Sequence, residues 1–476
     1  MRQTMTYLFP KRLVLSLCAL LMPLAARAQP VTAIIGADVL PMTGTERLAD
    51  QTILIRGDRI AAIGPRAATA IPDGARRIEA RGLTLMPGLV DMHIHLAPTP
   101  GQQGDAAQRA LAVMLAHGIT TARGMAGSPA NLQVRAAIEA GTLPGPRLYA
   151  AAPALNLNNT TSPDAARAAV RAAREAGYDL IKAHHLTDVA VWQAVQEEAR
   201  AQRLPVGGHV TNEVGLARAL AAGQQVEHLD GIPMALLPEN APERQLQFGQ
   251  ILPPPVLAAL SRLTDAQLNA FARRVAAARS WHVPTLALFE RIADVGTPTA
   301  TLRALPEMRY VPDPVLGQWA QQRQGLAQSG FTAQNGADFI RLRRRIAAAL
   351  HRAGVPLMAG SDTAQFFHLW GPGLLAEVEA LHAAGLSNMA ALRSATIVPR
   401  DYFRALPNGG SSQGWRADFG TVEAGARADL ILLRGDPSRD LAALRQLDTV
   451  IAAGRVHDRA ALDRLLDEAS RAAKGQ

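Results

Sequence analysis

The sequence predicts an α/β fold, a (β/α)8 TIM barrel with a small β-sandwich domain formed by both ends of the mature chain. Two observations support this fold. The middle of the 476-residue chain alternates short apolar strand patterns with amphipathic helical patterns. Both ends are instead rich in short β segments separated by turns. With 48% hydrophobic residues, the chain is long enough to bury the core of a large barrel.

The β-rich ends have the same texture. Residues 30–85 contain "VTAIIGADVL", "QTILIRGDRIAAIG" and "RRIEARGLTLMPG", and residues 420–457 contain "FGTVEAGARADLILLRGD" and "DTVIAAGRVHD". Glycines and polar turns separate these segments, as is typical of a small antiparallel sandwich. We therefore predict that residues 29–85 and 411–476 form one discontinuous β-sandwich with a C-terminal tail, and that residues 86–410 form the barrel.

The middle of the chain carries clear helix and strand signals. Ser162 and Pro163 are typical of an N-cap and a first helical residue, and Gly177 ends the same helix. The strand "YDLIKAHH" follows, and Thr187 is predicted to cap the next helix. "TNEVGLARALAAG" is predicted to be a further helix, and residues 234–280 and 291–340 to be insertions that could form a lid. The eight predicted strands end near His93, Arg123, Ala152, Lys182, His209, His228, Leu288 and Asp362.

The first 28 residues are typical of an export signal. Arg2, Lys11 and Arg12 precede the apolar stretch "LVLSLCALLMPLA", and Ala26-Arg27-Ala28 matches a cleavage site. The apolar stretch is shorter than the roughly 20 residues that a membrane span needs. We predict an exported protein, periplasmic or secreted after cleavage near Ala28, without a stable membrane span.

Composition narrows the class of partner. The chain has a formal charge of +9, but its aromatic content is 4% and no basic run is interleaved with aromatic residues. Nucleic-acid binding is therefore a poor interpretation. Cys18 is the one cysteine and lies in the leader, so the mature chain forms no disulfide. A small-molecule substrate is predicted, and a homo-oligomer stays open.

A set of polar residues at predicted strand ends indicates a metal site. "LMPGLVDMHIHLAP" (85–98) places His93 and His95 at i, i+2, which puts both imidazoles on one face of a strand. That pair alone is a weak signal. Four further residues fall at strand ends, and the active sites of this barrel lie at the carboxyl ends of its strands. These residues are Lys182, His209, His228 and Asp362.

The same residues carry a family resemblance. "PGLVDMHIHL", "YDLIK", "GGHV", "VEHLDG" and "GSDT", in this order, resemble the metal-dependent amidohydrolase superfamily, and "GTVEAGARADLILLRGDP" is similar to its C-terminal signature. The chain resembles the imidazolonepropionase-related branch, which includes exported Xaa-Pro and Xaa-Arg dipeptidases and ochratoxin-type amidases. The resemblance covers essentially the whole mature chain.

The resemblance implies a binuclear site. His93, His95 and Asp362 would bind the more buried metal, and His209 and His228 the second. Zinc is the first expectation, with manganese, iron, cobalt and nickel as alternatives. The resemblance also implies a hydroxide that bridges the metals and attacks the scissile carbonyl, with Asp362 as its base and then as the acid for the leaving amine.

Lys182 has a special place in this scheme. Only three of the 49 basic residues are lysines, and Lys182 is the one in the interior of the sequence. In binuclear relatives the corresponding lysine reacts with CO2, and the carbamate bridges both metals. Arginine stays protonated and cannot take this role, whereas a desolvated lysine amine can lose its proton. The alternative is a buried or snorkelling structural lysine.

The sequence near this set departs from the family pattern at Gly124, His184 and His185. "GITTARGM" gives Arg123 and Gly124 where relatives often have Arg-Asp, which weakens a substrate role for that acid. Arg123 itself could hold a substrate carboxylate or support the site from behind. His184 and His185 lie where near relatives often have an aromatic residue. They could be hydrogen-bond donors behind the ligands or oxyanion stabilisers, or histidines that only pack in a loop.

The function predicted from the sequence is a metal-dependent hydrolase of amide (C–N) bonds in small peptide-like or N-acyl amino acid substrates. One alternative is a hydrolase of lactones, cyclic amides or organophosphate esters at the same site. The other is a periplasmic metal-binding protein without catalysis. An acid/base residue such as Asp362 argues against the last one.

Overall fold

A computed structural model describes residues 30–44, 47–96, 106–246, 249–328 and 331–475 of the chain. The predicted export signal and its cleavage site lie outside these residues. Among the described residues, no helix combines the length and the hydropathy needed to cross a bilayer.

The strands fall into a terminal group and a central group. Those near the two ends of the described chain are β1 (Val31–Val39), β2 (Leu48–Arg56), β3 (Arg59–Pro65), β4 (Arg76–Glu79), β5 (Thr84–Pro87), β13 (Leu430–Leu433), β14 (Leu447–Ala452) and β15 (Arg455–His457). Those of the centre are β6 (Leu89–Ile94), β7 (Ile119–Gly124), β8 (Arg147–Ala150), β9 (Ile181–Ala183), β10 (Val206–Gly208), β11 (Gln225–Glu227) and β12 (His282–Val283).

Helices follow most of the central strands. They are α1 (Ala106–Ala116), α2 (Pro129–Ala140), α3 (Pro163–Ala176), α4 (Val189–Ala201), α5 (Leu216–Ala222), α6 (Ile232–Leu236), α7 (Pro254–Ser261), α8 (Asp265–Ala277), α9 (Leu286–Ala293), α10 (Thr299–Arg303), α11 (Asp313–Gln328), α12 (Ala333–Arg352), α13 (Pro372–Ala383), α14 (Asn388–Ser394), α15 (Ile397–Ala405) and α16 (Arg459–Ala473). Short 3₁₀ helices span Pro242–Gln245, Pro306–Tyr310, Pro407–Gly410 and Leu441–Arg445.

The two ends of the described chain join in one eight-stranded sheet. Its order is β15-β14-β13-β5-β1-β2-β3, and β4 also pairs with β1. The junction is antiparallel pairing of β13 with β5, in which Leu430 lies opposite Pro87. A separate apolar core lies on this sheet and includes Ile34, Ile53 and Leu432. The prediction that both ends build one sheet structure is therefore confirmed, and the two-layered sandwich stays a prediction.

The central strands form two parallel sheets, which confirms the predicted mixed α/β alternation. One sheet has the order β6-β7-β8, and the other runs β9-β10-β11-β12. Single parallel bridges join neighbouring strands beyond these sheets: Ala151 with Leu180, His282 with Leu357, and Ile94 with Thr363. Since the strands are parallel and consecutive, the residues at their carboxyl ends lie at the same edge.

One glycine brings two neighbouring strands close together beside the site. Gly208 ends β10 with φ 134°, and a Cβ built there would lie 2.1 Å from the carbonyl oxygen of Ala183 on β9. Glycine is the residue that tolerates both this φ and this approach. The next residue, His209, donates its backbone N–H to the same carbonyl over 2.9 Å. Gly208 thus sets His209 beside the strand of Lys182.

The predicted local signals are partly confirmed. Helix α3 has Ser162 as N-cap, accepting from the N–H of Ala165, and ends at the left-handed Gly177. The cap of α4 is Asp188 rather than Thr187, because its carboxylate accepts from the first-turn amides. Helix α5 begins only at Leu216, after turn residues at 212–214.

The predicted strand that ends near Leu288 is wrong. The strand is the short β12, and Leu288 lies in helix α9. The chain leaves the strand through Thr285, which has φ 48°. The apolar run "TLALF" fits either a buried strand or a buried helix, and its periodicity alone could not distinguish them.

Candidate metal centre

The six residues predicted to bind metal line one cavity of about 650 Å3. Each follows or ends a central strand or the segment 357–363, so the shared edge of the parallel strands brings them together. His184 and His185 line the same cavity. The other described residues that line this cavity are Gln250, Ile251, Leu288, Phe289, Ile292, Gln322, Gly325, Leu326, Gln365 and Phe366.

His93 and His95 lie at the end of β6, with ring centroids 5.2 Å apart. His93 is fully buried, and its Nδ1 hydrogen-bonds Oε2 of Glu227 over 2.8 Å. This bond makes Nδ1 the protonated nitrogen and leaves Nε2 with its lone pair. Nε2 is buried and forms no hydrogen bond with any described residue. Burial lowers the pKa of His93 well below its usual value, so the ring is neutral, the form that binds metal.

Asp362 lies at the centre of the cluster. Its Oδ1 is 2.7 Å from Nε2 of His95 and 3.4 Å from Nε2 of His93, and its Oδ2 is 3.7 Å from Nδ1 of His228. Burial raises the pKa of the Asp362 carboxyl, but the imidazoles of His93 and His95 outweigh burial and lower the pKa to about 2. The group is therefore a carboxylate at neutral pH.

His209 and His228 form the other side of the cluster. Their rings stack with centroids 4.9 Å apart, and the His228 ring lies equally far from that of His93. Nδ1 of His209 hydrogen-bonds Oδ2 of Asp230 over 2.7 Å. Nδ1 of His228 hydrogen-bonds Oγ1 of Thr285 over 2.8 Å. Each Nδ1 is engaged by the protein, which orients each ring and leaves Nε2 as the available ligand atom.

Lys182 lies on β9, between β8 and β10, and is 1% exposed. Its Nζ is buried and forms no hydrogen bond with a described residue. Burial lowers the pKa of the Lys182 amine, while the carboxylates of Glu227 and Asp362 act in the opposite direction. An ammonium group without partners is costly to bury, so this environment favours the neutral, nucleophilic amine.

The donor set fits divalent metal ions. Ligand atoms of His93, His95 and Asp362 lie within 4.8 Å of one another, as do those of His93, Glu227 and His228. Imidazole nitrogens and carboxylate oxygens are the ligands that zinc and similar cations take. Bound metal ions, and a carbamate on Lys182, would also explain why the buried Nε2 of His93 and Nζ of Lys182 have no hydrogen-bond partner among the described residues.

Arg123 does not line the cavity. It is fully buried, and its guanidinium donates to the Met92 carbonyl over 2.7 Å, to Gln225 over 2.9 Å and to Glu227 over 2.5 Å. These contacts commit Nε, NH1 and NH2 to protein acceptors. Of the two expected roles, the arrangement favours support of the site through Glu227 over contact with a substrate carboxylate.

His184 and His185 extend the row of imidazoles beyond the predicted ligands. The His184 ring lies edge-on to His209 with centroids 4.6 Å apart, and the Nδ1 atoms of His184 and His185 are 2.7 Å apart. Burial, together with the neighbouring His209, lowers the pKa of His184 to about 3. A neutral His184 beside a ligand fits both a packing role and a donor role toward substrate.

Sequence reasoning missed three residues that orient the ligands: Glu227, Asp230 and Thr285. Glu227 and Asp230 stand in the quoted motif "VEHLDG", so the signal was their position beside His228. The packing of neighbouring strands decides which histidine ring each carboxylate contacts. The spacing of residues in the sequence could not predict these contacts. Glu227 bridges His93 and Arg123, whereas Asp230 reaches His209.

Glu227→Gln is expected to weaken metal binding by about 10- to 100-fold, because the amide cannot accept from both His93 and Arg123. The NH2 group of the new side chain would face a second donor, and the His93 ring would lose its fixed orientation. Competition of the purified protein with a chromogenic chelator measures this affinity.

The matched control is Glu379→Gln, which breaks a bidentate pair with Arg445 on the surface. Its metal affinity should equal that of the unsubstituted protein. An unchanged affinity in Glu227→Gln would contradict the orienting role of Glu227.

The parallel α/β fold and the cluster of histidines, carboxylate and lysine define a class of proteins, those with a candidate metal centre at the carboxyl ends of parallel strands. Residues 84–457 match the amidohydrolase family model. The chain therefore belongs to the amidohydrolase family, and the predictions of this superfamily and of an enzyme are confirmed.

Two solved structures are similar over nearly the full length. A candidate prolidase from Bifidobacterium longum is 25% identical, with a TM-score of 0.63, and the match covers 93% of this chain and 99% of that chain. A bottromycin amidohydrolase is 22% identical, with a TM-score of 0.69, and covers 93% and 90% respectively.

Curated relatives match over a short segment. A 5-methylthioadenosine/S-adenosylhomocysteine deaminase of Symbiobacterium thermophilum is 43% identical over 65 residues. This segment is 13% of the present chain and 15% of the relative. The chain thus matches only a small part of the length of this relative.

Proposed function

We propose that the protein is a binuclear metal-dependent hydrolase that cleaves amide (C–N) bonds of small peptide-like or N-acyl amino acid substrates. The observation that carries this proposal is the unpaired amine of Lys182, buried in one cavity with His93, His95, His209, His228 and Asp362. A structural lysine would be expected to find a carboxylate or carbonyl partner.

The ligands divide into two groups around Lys182. His93 and His95 with Asp362 would hold one metal ion, since Asp362 Oδ1 lies 2.7 Å from His95 and 3.4 Å from His93. His209 and His228 would hold the second. A carbamate on Lys182 would supply an oxygen to each ion. Zinc suits this set of imidazoles and carboxylates.

A bound metal pair would supply Lewis acidity toward the scissile carbonyl and lower the pKa of a bound water. The chain supplies the proton transfer. Asp362, ionised at neutral pH, can accept a proton of the attacking water at Oδ2, since Oδ1 faces His93 and His95 and would be the ligand atom. It can then deliver this proton to the leaving amine nitrogen, which would otherwise depart as an unstable anion.

We also propose that the two parallel sheets and residues 357–363 constitute the predicted (β/α)8 barrel. The parallel bridges between these parts support it, as do hydrogen bonds from the Met92 N–H to the Ala359 carbonyl and from the Asp362 N–H to the His93 carbonyl. The proposed domains are the barrel at 86–410 and a β-sandwich from 29–85 and 411–476. We further propose that the protein is exported and that its signal peptide is cleaved near Ala28.

The relatives support amide chemistry and keep other C–N bonds open. The names of the similar solved structures refer to prolidase and amidohydrolase activity, and that of the short curated match to deamination. Hydrolysis of lactones, cyclic amides or organophosphate esters would use the same metal ligands and stays as an alternative. A buried carboxylate such as Asp362, which can act as acid and base beside the other candidate ligands, argues against a non-catalytic metal-binding protein.

Metal removal and reloading test this function. The chain from residue 29 onward is stripped with chelator, reloaded with Zn2+, Mn2+ or Co2+, and assayed against dipeptides and N-acyl amino acids, each as the free acid and as the carboxamide, and against lactones, phosphotriesters and purine nucleosides. We expect amide hydrolysis that falls at least about a hundredfold on stripping and returns with two metal ions per chain. Turnover that survives complete stripping, or turnover of the esters or nucleosides alone, would contradict the proposal.

A further inference from the structure

The cavity wall that faces the ligand cluster has a distinct chemistry. Six of its side chains are apolar and come from the loop after residue 249, from α9, from α11 and from the residues after Asp362. They are Ile251, Leu288, Phe289, Ile292, Leu326 and Phe366. Such a wall is typical of a pocket that binds an apolar ligand group.

The polar side chains of this wall are neutral amides. Gln250, Gln322 and Gln365 line the cavity between the apolar residues. Among the described lining residues, Lys182 is the one cation of lysine or arginine type, and Asp362 the one carboxylate. The internal segments outside the described residues contain no arginine or lysine in their sequence.

Two arginines close to the site, Arg123 and Arg323, have their guanidinium groups committed to protein acceptors. Arg123 is committed to Met92, Gln225 and Glu227, as described above. Arg323 is buried, and its NH1 and NH2 donate to the carbonyls of residues 291, 294 and 297. Because none of the side chains that line the wall is cationic, a free carboxylate placed against it would lack a charged partner among them, and burying an unpaired charge is costly.

An adjoining cavity of about 420 Å3 shares His185, His209 and His228 with the first one. Its lining carries two carboxylates, those of Glu213 and Asp230, which repel an anion. Arg343 also borders it, but its NH2 donates to the carbonyls of His228 and Pro284, and its guanidinium lies 3.9 Å from the Phe289 ring centroid.

We propose that the substrate is a hydrophobic amide without a free carboxylate, and that its uncharged apolar portion fills the cavity against the wall of α9 and α11. This inference rests on the proposed function and narrows its substrate class. N-acyl peptides with a neutral end and other apolar amides fit, whereas free dipeptides and N-acyl amino acids with an ionised carboxyl group fit poorly.

A pair of amides with the same scissile bond tests this substrate class on the metal-loaded protein. N-benzoyl-phenylalaninamide and N-benzoyl-phenylalanine differ only in a terminal carboxamide or carboxylate. We expect kcat/KM for the carboxamide to be about tenfold or more higher. Equal turnover of both, or preference for the carboxylate, overturns the inference.

A substitution on the wall makes the test specific for this surface. Gln322 lies exposed on α11 at the cavity, so Gln322→Arg adds a guanidinium there with little effect on packing. In this variant, the difference in kcat/KM between the carboxamide and the carboxylate substrate is expected to shrink severalfold. Gln322→Met, of similar length and neutral, should keep the original preference. If the ratio of kcat/KM between the carboxamide and the carboxylate substrate were the same in Gln322→Arg as in the unsubstituted protein, the apolar portion of the substrate would not lie against this wall.

A binding measurement separates this inference from the proposed activity. Phenylbutyramide and phenylbutyrate are titrated calorimetrically into chelator-treated protein at pH 8, where no bound metal can attract the carboxylate. Tighter binding of the amide is expected, and this result without hydrolysis of any amide would reject the proposed function alone. Tighter binding of phenylbutyrate, or no binding of either probe, overturns the inference while hydrolysis can still stand.

Discussion

Lys182→Ala is expected to lower kcat/KM for amide substrates by roughly a thousandfold or more and to reduce the metal content below two ions per chain. The physical reason is that the variant lacks the amine that would carry the bridging carbamate. Metal analysis of the purified protein and steady-state kinetics measure both effects. Carbon-13 NMR after exposure to labelled CO2 is expected to show a carbamate signal in the unsubstituted protein.

Two matched variants distinguish a ligand from a packing role. Lys182→Met keeps most of the buried volume without an amine, and Lys182→Arg keeps the positive charge without carbamate chemistry. Both should be as inactive as Lys182→Ala. If Lys182→Met retained two metal ions and normal turnover, Lys182 would be a structural residue and the binuclear proposal would be wrong.

Asp362→Asn is expected to lower kcat by roughly a thousandfold, because an amide neither accepts a proton from water nor returns it to the leaving amine. The substitution keeps the shape of the side chain in the cluster of His93 and His95. Because the pKa of Asp362 is held at about 2, its carboxylate stays ionised through the neutral and mildly acidic range. Protonation of this group should therefore cause no loss of activity anywhere between pH 5 and 9. Single-turnover and steady-state assays from pH 5 to 9 measure both points.

The control for Asp362→Asn is Asp265→Asn, which removes a carboxylate from an exposed pair with Arg345. Its kinetics should match those of the unsubstituted protein. An Asp362→Asn variant with near-normal kcat would exclude Asp362 as the acid and base of the reaction.

The positions of the candidate ligands could be predicted because they depend on local patterns. The i, i+2 spacing of His93 and His95, and the polar residues that end apolar strands, place side chains at one edge once the strands are parallel. The structure brings Lys182 and Asp362 into the same cavity as these histidines. The caps of α3, Ser162 and Gly177, were equally local signals.

Other features could not be predicted, since they depend on which segments are neighbours in space. The direction of the Arg123 side chain is decided by Gln225 and Glu227, about a hundred residues later in the chain. The helical state of Leu288 follows the left-handed turn at Thr285, and the side chain of Leu288 is buried. Neither contact leaves a periodic trace in the sequence.

Sequence alone determined the alternation of strands and helices, the family and the chemical types of the candidate ligands, because each follows from periodicity and from motifs read along the chain. Only the tertiary structure decided that Glu227, Asp230 and Thr285 orient the rings, that Arg123 is withdrawn from the cavity, and that apolar side chains and neutral amides face the ligand cluster. The physical reason is that hydrogen-bond partners and cavity walls form between distant segments, where packing and burial select the contacts.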